Sequence, residues 1–461
     1  MKAWKALKYA FGGIVGLLLL LAAFIMAINA IDEDLNPEIL DLVRRAEAET
    51  IIQEGNAYYP IRGFFAPAGK DIEVTGRSLA NADQSAFETF RKEGWLDQRR
   101  VPAVPNELKF KGDPWNLCTV TDASKYDDGK CKSKAESDRM FEENAELLVR
   151  YYGLLDYSRY EEPGAFSTLS GGDLIGVMRL ANADMERKLL AGDIEEAAQL
   201  LSRNLSFWRN ALNGKYRLIS EAILSVNYSY SLTILSDLLP LYPALGSRRD
   251  IRSALAQPME PSGMRLQAQM DREFMNAYYV DGADWLFSGY SGNEANPFLK
   301  WVANVLYQKN ATLNRYHACL RAYYSVRELA GSEFSEAESR FEDFDVDGMW
   351  DLTYNPTGNV ALLSICPKRS WLDSLVWEQR FEARRRLVLL QIRLLNSNVP
   401  TSRYSELLDG PGPDLHDPIT GRPAQWDADQ GIIYFQREEG CVSERLWARM
   451  RSTKKFSRCP S

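Results

Sequence analysis

The sequence predicts a mainly α-helical protein, built of packed helical hairpins with a small C-terminal β-hairpin, after one N-terminal transmembrane helix. Three observations support this prediction. An uncharged apolar stretch opens the chain, apolar residues recur every three or four positions through most of the remainder, and turn residues separate two short apolar segments near the end. The 461 residues are 45% hydrophobic and 26% charged, which is typical of a globular protein with a substantial core.

The transmembrane prediction rests on residues 9–30, which carry no charge and contain five consecutive leucines. About 20 apolar residues in a helix cross the hydrocarbon core of a bilayer. Three lysines precede this stretch and three acidic residues follow it, an asymmetry that predicts a cytoplasmic N-terminus and an extracytoplasmic remainder. We expect a single-pass protein of a bacterial inner membrane with its bulk in the periplasm.

A cleaved signal peptide is the alternative for this segment. Its apolar region would usually span about 7–15 residues and end in a cleavage site with small residues at two alternate positions. The stretch here is longer, and the best cleavage candidate, Ile28-Asn29-Ala30, has a large residue at the first of those positions. The retained anchor is therefore the preferred interpretation.

Helical periodicity follows the anchor and predicts the body of the protein. The predicted helices cover residues 37–53, 174–190, 194–212, 216–234, 264–279, 311–329 and 374–397. Asp193 and Glu196 have the spacing of a capping box at the start of one of them. The hairpin on either side of Asp193 is similar to a tetratricopeptide unit, but no period of about 34 residues supports a repeat array.

Two other segments complete the predicted organisation. Residues 100–133 carry Pro, Gly, Asp and Lys without periodicity and are predicted to form a long loop. Residues 423–426 and 432–436 are predicted to pair as a hairpin. The predicted domains are the anchor (1–31), an irregular and helical N-terminal region with the long loop (32–136), the helical body (137–400), and a small segment with the hairpin and a basic tail (401–461).

Charge and histidine content narrow the function classes. The net charge of −8 argues against nucleic acid as a partner, because such a partner requires a basic surface. The chain has two histidines, His317 and His416, which leaves little material for histidine-based metal sites or proton relays. We expect His317 to pack in the core or a groove and His416 to be exposed. Phosphate-loop, dinucleotide and zinc-protease motifs are missing.

Six cysteines suggest disulfides in an oxidising compartment. The simplest pairs are Cys118 with Cys131 and Cys441 with Cys459, because each pair flanks a polar segment, and each bond would contribute about 3 kcal/mol in the chain-entropy model. Cys319 and Cys366 remain, and six cysteines allow about 15 full pairings, so the connectivity stays open. Zinc is a poor alternative because the sequence has no Cys-x-x-Cys spacing.

Calcium is the one cofactor that the sequence suggests. Asp343, Asp345 and Asp347 alternate and are followed by glycine, as in the opening of a calcium loop. Asp351 falls at the ninth position of that loop, but Tyr354 occupies the twelfth, where a bidentate glutamate is expected. The alternative is a solvated acidic loop that binds no ion.

Several short segments carry a resemblance. They are Asn-Ala-Tyr-Tyr at 56–59 with Gly-Phe-Phe-Ala-Pro at 63–67, residues 143–151, Phe-Trp-Arg at 207–209, Asn-Ala-Thr-Leu-Asn at 310–314, Tyr-Asn-Pro-Thr-Gly at 354–358, and Asp-Pro-Ile-Thr-Gly-Arg-Pro at 417–423. In order and spacing the chain resembles a widespread group of uncharacterised single-span envelope proteins of Gram-negative bacteria. The resemblance implies the anchor, a helical body and a small β-rich end, and it implies no activity or catalytic residue.

Two function hypotheses follow. The first is a non-enzymatic binding or scaffold protein of the cell envelope, because catalytic motifs are missing and a fold alone does not supply a function. Phe207, Trp208 and Tyr228 are its candidate contacts to a protein partner, since aromatic side chains dominate interfaces; filling of the core is the alternative role for them. The second hypothesis is an envelope hydrolase that uses carboxylates, which a close acidic pair lining one pocket would favour.

Overall fold

The computed structural model describes residues 2–49, 53–93, 107–117, 133–163, 171–216, 218–257, 262–279, 297–327, 353–365, 368–397, 399–410, 412–418, 420–436 and 447–450. Within these residues the protein is mainly helical, with one apolar helix at the N-terminus and a small antiparallel sheet at the C-terminus. The predicted fold class is confirmed.

The helices and strands have the following bounds. The helices are α1 (Lys2–Ile28), α2 (Pro37–Ala48), α3 (Tyr58–Arg62), α4 (Ile72–Glu93), α5 (Lys134–Glu143), α6 (Ala145–Leu154), α7 (Gly171–Ala191), α8 (Ile194–Leu212), α9 (Leu218–Leu238), α10 (Ala244–Ser247), α11 (Arg249–Ala256), α12 (Ser262–Tyr279), α13 (Pro297–Val305), α14 (Lys309–Arg327), α15 (Pro356–Ile365), α16 (Lys368–Leu395) and α17 (Tyr404–Asp409). The strands are β1 (Gln425–Asp427), β2 (Ile432–Tyr434) and β3 (Trp447–Arg449).

Helix α2 ends earlier than its apolar pattern predicts. It begins where the Asn36 side chain accepts from the amide of Glu38, and Glu49 at its C-terminal end is already extended. The carboxylate of Glu49 bonds instead to Lys215 and to Arg272, at 2.7 Å each. Burial alone would raise the pKa of Glu49, but the charges of Arg272 and Lys215 outweigh it and hold that pKa below its usual value. The chain therefore leaves the helix at Glu49, whose side chain forms long-range ion pairs.

The predicted capping box at α8 does not form. The Asp193 side chain makes no capping hydrogen bond, and Glu196 pairs with Lys188 of the preceding helix over 2.7 Å. A capping box does form at α5, where Ser133 and Glu136 cap each other's backbone amides. The spacing of a capping box predicts the cap only where no basic side chain competes for the glutamate.

The main core lies within the helical hairpins. Helices α6, α7, α8 and α9 pack in succession, α11 packs on α8, and α16 packs on α9. Phe64, Leu154, Trp208, Leu232 and Val388 belong to one cluster of buried side chains. Phe64, close to α3, therefore shares a core with helices that lie almost a hundred or more residues later in the sequence. The hairpins alone would leave apolar faces exposed to water.

Besides a small cluster between α5 and α7 around Met140 and Leu180, two smaller cores complete the body. One joins α2, α12, α14 and α15 around Ile39, Phe274, Leu320 and Leu362. The other holds the C-terminal sheet against α16, through residues such as Leu387 and Ile433.

The sheet has the order β1-β2-β3, with antiparallel pairs throughout. The β1–β2 pair is the predicted hairpin and is confirmed, with Trp426 opposite Ile433. Strand β3 was not predicted.

Candidate membrane-proximal site

Helix α1 is long and apolar enough to cross a membrane. Its segment Phe11–Ile28 has a mean hydropathy of 2.7 and none of it is buried inside the protein. Within the described residues it is the one helix that meets both criteria. The predicted single apolar segment is therefore present as a helix, and its exposed surface matches the length of a hydrocarbon core.

The residue that follows this segment is fixed to the body by hydrogen bonds. Asn29 is buried, and its Nδ2 donates to the carbonyl of Thr353 over 2.7 Å. Its Oδ1 accepts from the amide of Asn355 over 2.7 Å. The side chain of Gln308 donates to the Asn29 carbonyl. The end of the apolar helix therefore contacts two distant parts of the chain at once.

Asn355 is the centre of this arrangement. Its backbone lies in the left-handed region, at a φ of 52°, which asparagine tolerates better than most residues. Its Oδ1 accepts from the amides of Gln308 (2.8 Å) and Gly358 (3.2 Å), and its Nδ2 donates to the Thr312 hydroxyl (2.9 Å). We call the group Asn29, Gln308, Thr312, Asn355 and Gly358 the collar.

Close packing makes glycine necessary at one collar position. A Cβ on Gly358 would lie 2.0 Å from the Thr312 hydroxyl and 2.4 Å from the Asn355 side chain. Any larger residue there would push the two partners apart. Beside the collar, the Arg315 side chain donates to Asn359, which in turn donates to the Tyr354 carbonyl over 3.0 Å.

The acidic residues after α1 bind the start of α14. Asp32 accepts from the amides of Asn310 (2.7 Å) and Ala311 (3.0 Å). These amides belong to the first turn of a helix, where a carboxylate is favoured by the helix dipole. Asn314 accepts from the Asn36 amide over 2.8 Å and donates to the Asp34 carbonyl over 2.9 Å. Asp32, one of the acidic residues that predict the topology, therefore also caps α14.

Two of the segments that carry the resemblance meet in the collar. Residues 310–314 and 354–358 are joined directly through Thr312 and Asn355. Asn29 and Gln308 were not singled out from the sequence, because no local pattern marks an asparagine or glutamine whose partners lie about 280 residues away. The recurrence of asparagines in the two segments is the signal that could have found the site.

Other polar groups form closed networks in the main core. The Tyr151 hydroxyl donates to Asn204 Oδ1 over 2.7 Å, and Trp208 Nε1 donates to the Tyr151 hydroxyl over 2.9 Å. Asn204 Nδ2 donates to the Ser231 hydroxyl over 2.8 Å. Burial raises the pKa of Tyr151, so that the phenol stays protonated. Side chains from α6, α8 and α9 are thereby held in one arrangement.

A buried carboxylate occupies a similar position nearby. The Tyr160 hydroxyl donates to Glu162 over 2.7 Å, and Glu162 is fully buried. Burial, with the charge of Glu162, raises the pKa of Tyr160. Asn56 bonds to both the amide and the carbonyl of Glu161, at 2.9 and 2.7 Å. The pair therefore belongs to a junction that fixes the backbone around residues 56 and 161.

Arg150 joins two more of the resembling segments. Its guanidinium donates to the carbonyls of Phe64 (2.8 Å), Ala66 (2.7 Å) and Pro67 (3.0 Å), and also to Glu146 (2.6 Å). Five fixed donors suit a guanidinium to such a set of carbonyls. The turn at 63–67 is thus held by a charged side chain that is itself buried.

The prediction that Phe207, Trp208 and Tyr228 contact a partner is wrong. All three side chains are at most 2% exposed. Phe207 and Trp208 pack edge to face at 4.8 Å, and Tyr228 belongs to the same buried cluster. Their rings fill the main core because they lie on the apolar faces of α8 and α9, so the alternative role of core filling holds.

Of the cysteines, only Cys319 falls within the described residues. It is buried on α14. Cys118, Cys131, Cys366, Cys441 and Cys459 lie outside the described residues. The two predicted pairs therefore stay predictions.

The calcium candidates Asp343, Asp345, Asp347 and Asp351 lie outside the described residues as well. In the part of the chain that the structure covers, no group of three or more His, Cys, Asp or Glu side chains is placed to hold a metal ion. Calcium binding by these four residues therefore stays a prediction.

The histidines occupy different settings. His317 is buried on α14, as expected, where its ring packs against Phe274 at 5.2 Å and its Nε2 lies 3.6 Å from Glu38. Burial lowers the pKa of His317, although the charge of Glu38 acts in the other direction. His416 is only partly exposed, with its Nδ1 3.1 Å from the Gly421 carbonyl.

An open pocket of about 540 Å³ is lined by Arg248, Arg249, Asp250 and Ser253. Its carboxylate, Asp250, pairs with Arg248 over 2.9 Å. The bond with Arg248 lowers the pKa of Asp250, so this group stays ionised. Glu195 pairs with the same guanidinium over 2.8 Å, and this bond lowers its pKa as well, so neither carboxylate supplies the protonated acid of a hydrolase.

Comparisons of the chain with models of protein families, with curated proteins and with solved structures find no match. The collar is therefore interpreted from its own chemistry. It contains amides, a hydroxyl and close backbone contacts, and its geometry serves to join α1 to the body.

Proposed function

We propose that this protein is a non-enzymatic binding or scaffold protein of a bacterial cell envelope, anchored in the inner membrane by α1. The observation that carries the proposal is the collar. Buried hydrogen bonds from Asn29 to Thr353 and Asn355 hold the helical body at the end of the apolar helix. A body held in one place at a membrane surface suits the positioning of a protein partner.

The proposed orientation places the N-terminus in the cytoplasm and residues 32–461 in the periplasm. Lysines before the span and acidic residues after it support this orientation. The proposed relationship to single-span envelope proteins of Gram-negative bacteria agrees with it, and the segments of that resemblance contribute to the collar and to the Arg150 junction.

Binding is preferred to hydrolysis because several buried polar side chains bond to one another. Tyr151, Asn204 and Trp208 form one closed set, and Tyr160 with Glu162 forms another. These groups stabilise packing between helices and are not presented to a substrate. Asp250 in the pocket and Glu195, which pairs with the same Arg248, both have a lowered pKa, so neither supplies the protonated acid that the hydrolase hypothesis requires.

A topology experiment tests the orientation. We expect alkaline phosphatase fused after residue 60 to be active in a Gram-negative host, because this reporter folds only in the oxidising periplasm. A cytoplasmic reporter at the same junction serves as the matched control and should be inactive. The reverse pattern would show that the body faces the cytoplasm.

Crosslinking tests the binding role. Leu190 and Ile194 are exposed on either side of the turn between α7 and α8. We expect a photoreactive residue at one of these positions to give a discrete protein adduct in intact cells, with Leu18 in the span as the control position. Purified full-length protein that cleaves a peptide or cell-wall substrate, with no adduct at either position, would favour the hydrolase instead.

A further inference from the structure

Two helices of the body lie next to the collar. Helix α13 ends at Val305, just before Gln308, and α15 begins at Pro356, directly after Asn355. The two helices are tied by the amide of Thr357, which donates to the carbonyl of residue 306 over 3.4 Å. Since the collar surrounds the residue that follows the span, both helices begin or end where the chain leaves the hydrocarbon.

The distances along these helices are short. Trp301 precedes Gln308 by seven residues, and Val360 follows Asn355 by five. At about 1.5 Å per helical residue, Val360 lies roughly 8 Å along α15 from Asn355, and Trp301 lies roughly 6 Å along α13 from its end at Val305. The headgroup region on one side of a bilayer is on the order of 5–8 Å deep. A helix that lies along the bilayer surface keeps its side chain within reach of the headgroups.

Large apolar side chains are exposed on these two helices and directly after the span. Trp301 and Val360 are each 56% exposed, and Ile31, between the span and Asp32, is 76% exposed. Exposed apolar groups of this size cost free energy in water and gain it at a lipid interface. Tryptophan in particular favours the headgroup level, because its ring is apolar and its N–H can bond to polar groups.

We propose that α13 and α15 rest on the bilayer surface, with Ile31, Trp301 and Val360 inserted among the lipid headgroups beside α1. The occupant of this surface is the membrane, because Gln308 after α13 and Asn355 before α15 both bond to Asn29, the residue that follows the span. The inference rests on the proposed anchorage by α1 and adds a second membrane contact, which would hold the body flat against the lipid.

Depth-dependent quenching in vesicles tests this contact. A small fluorescent amino acid replaces Trp301, Val360, Leu18 or Leu190 in the full-length protein, reconstituted in phosphatidylethanolamine and phosphatidylglycerol. Leu18 reports the anchorage itself, and Leu190 is a matched exposed control on the hairpins, at 72% exposure. Iodide reports contact with water, and lipids brominated near the headgroup or deep in the acyl chain report depth.

We expect probes at Trp301 and Val360 to be quenched by the shallow brominated lipid and to be several-fold less sensitive to iodide than the probe at Leu190. The proposal is overturned if both behave like Leu190 while Leu18 is quenched by deep lipid. It is overturned equally if both are shielded from every quencher, because a second protein copy then covers the patch. Loss of lipid quenching at Leu18 would instead remove the anchorage and, with it, this surface.

Discussion

Asparagine side chains make many of the contacts that join α1 to the body. An amide donates and accepts at once, so Asn355 can satisfy two backbone amides and a hydroxyl with one short side chain. Asn29 likewise donates to the carbonyls of Ile25 in α1 and of Thr353, and it accepts from the amide of Asn355. Charged residues would pay a large desolvation cost in this setting.

We predict that Asn355→Ala opens the collar. The substitution leaves the amides of Gln308 and Gly358 without their acceptor and places alanine at a positive φ. These effects together should cost about 2–4 kcal/mol of local stability. Hydrogen exchange of peptides covering 308–314 and 353–365 measures it, with faster exchange expected in both.

Asn396→Ala is the control for this change, because Asn396 is exposed on the protein surface. It should leave the exchange of both peptides unaltered. Asn355→Gly should be less disruptive than Asn355→Ala, because glycine tolerates the left-handed backbone. Unchanged exchange in the Asn355→Ala protein would show that the side chain does not hold the collar together.

His317 gives the second prediction at this scale. Burial lowers its pKa, the nearby Arg321 acts in the same direction, and Glu38 opposes both. The folded protein therefore favours the neutral ring, whereas the unfolded chain takes up a proton near pH ~6.5. The stability that the neutral ring provides is present above that pH and declines as the pH falls through it.

We expect His317→Gln to remove this decline. Glutamine can still bond to Asn36, whose amide nitrogen lies 3.4 Å from the His317 ring, but it does not titrate. Urea unfolding in detergent should show that the native protein loses more stability than the variant between about pH 7 and pH 5. Parallel pH profiles for the two proteins would contradict the assignment.

The elements differ in how far the sequence predicts them. Helices α7, α8, α9 and α16 are found close to their predicted bounds, because each buries a regular apolar stripe against a neighbour. Helix α4 was missed. Its position depends on close backbone contact between Gly76 and Tyr59, where a Cβ would lie 1.7 Å from a carbonyl oxygen. Such a contact leaves no periodic signal.

Strand β3 and the collar were missed for a related reason. Trp447–Arg449 is a strand only because it pairs with β2, and three residues carry too little pattern to predict this. The collar contacts of Asn29 join residues that are 279 to 326 positions apart. The sequence shows which segments are unusual, and only the packed helices show which of them meet.

A disulfide between Cys319 and Cys366 is the prediction for the α14–α15 pair. Thr312 bonds to Asn355 and Arg315 to Asn359, so the helices start together and run in the same direction. Cys319 lies one turn beyond Arg315, and Cys366 directly follows α15 in the sequence. Covalent closure would hold the second core together at its far end.

Non-reducing peptide mapping of exported protein should recover a Cys319–Cys366 peptide pair. Cys319→Ser should release one thiol, found at Cys366 by maleimide labelling, and Cys366→Ser should release Cys319. A bond from Cys319 to any of the other four cysteines would contradict the pairing, and so would a free Cys319 in exported protein.

At the scale of the whole molecule, the span and the body behave as one unit only if the collar and the Asp32 cap hold. The buried cores stabilise the body independently of α1, whose surface is unburied. Anchorage and folding are therefore separable, and orientation depends on a few polar contacts. A scaffold that positions a partner at a fixed height above the membrane requires these contacts.

We predict that Asn29→Ala combined with Asp32→Ala leaves the protein folded and anchored but frees its body to reorient. Spin labels at Leu18 in the span and Val149 on α6, introduced as noncanonical amino acids, report the distance between the two parts. The native chain should give a narrow distance distribution in vesicles, and the double variant a broad one. Asp34→Ala is the matched control, because Asn314 bonds to the Asp34 carbonyl, which the substitution retains. A flexible Gly-Ser segment inserted after Ile31 sets the broad limit. A native distribution as broad as that limit would show that the collar does not orient the body.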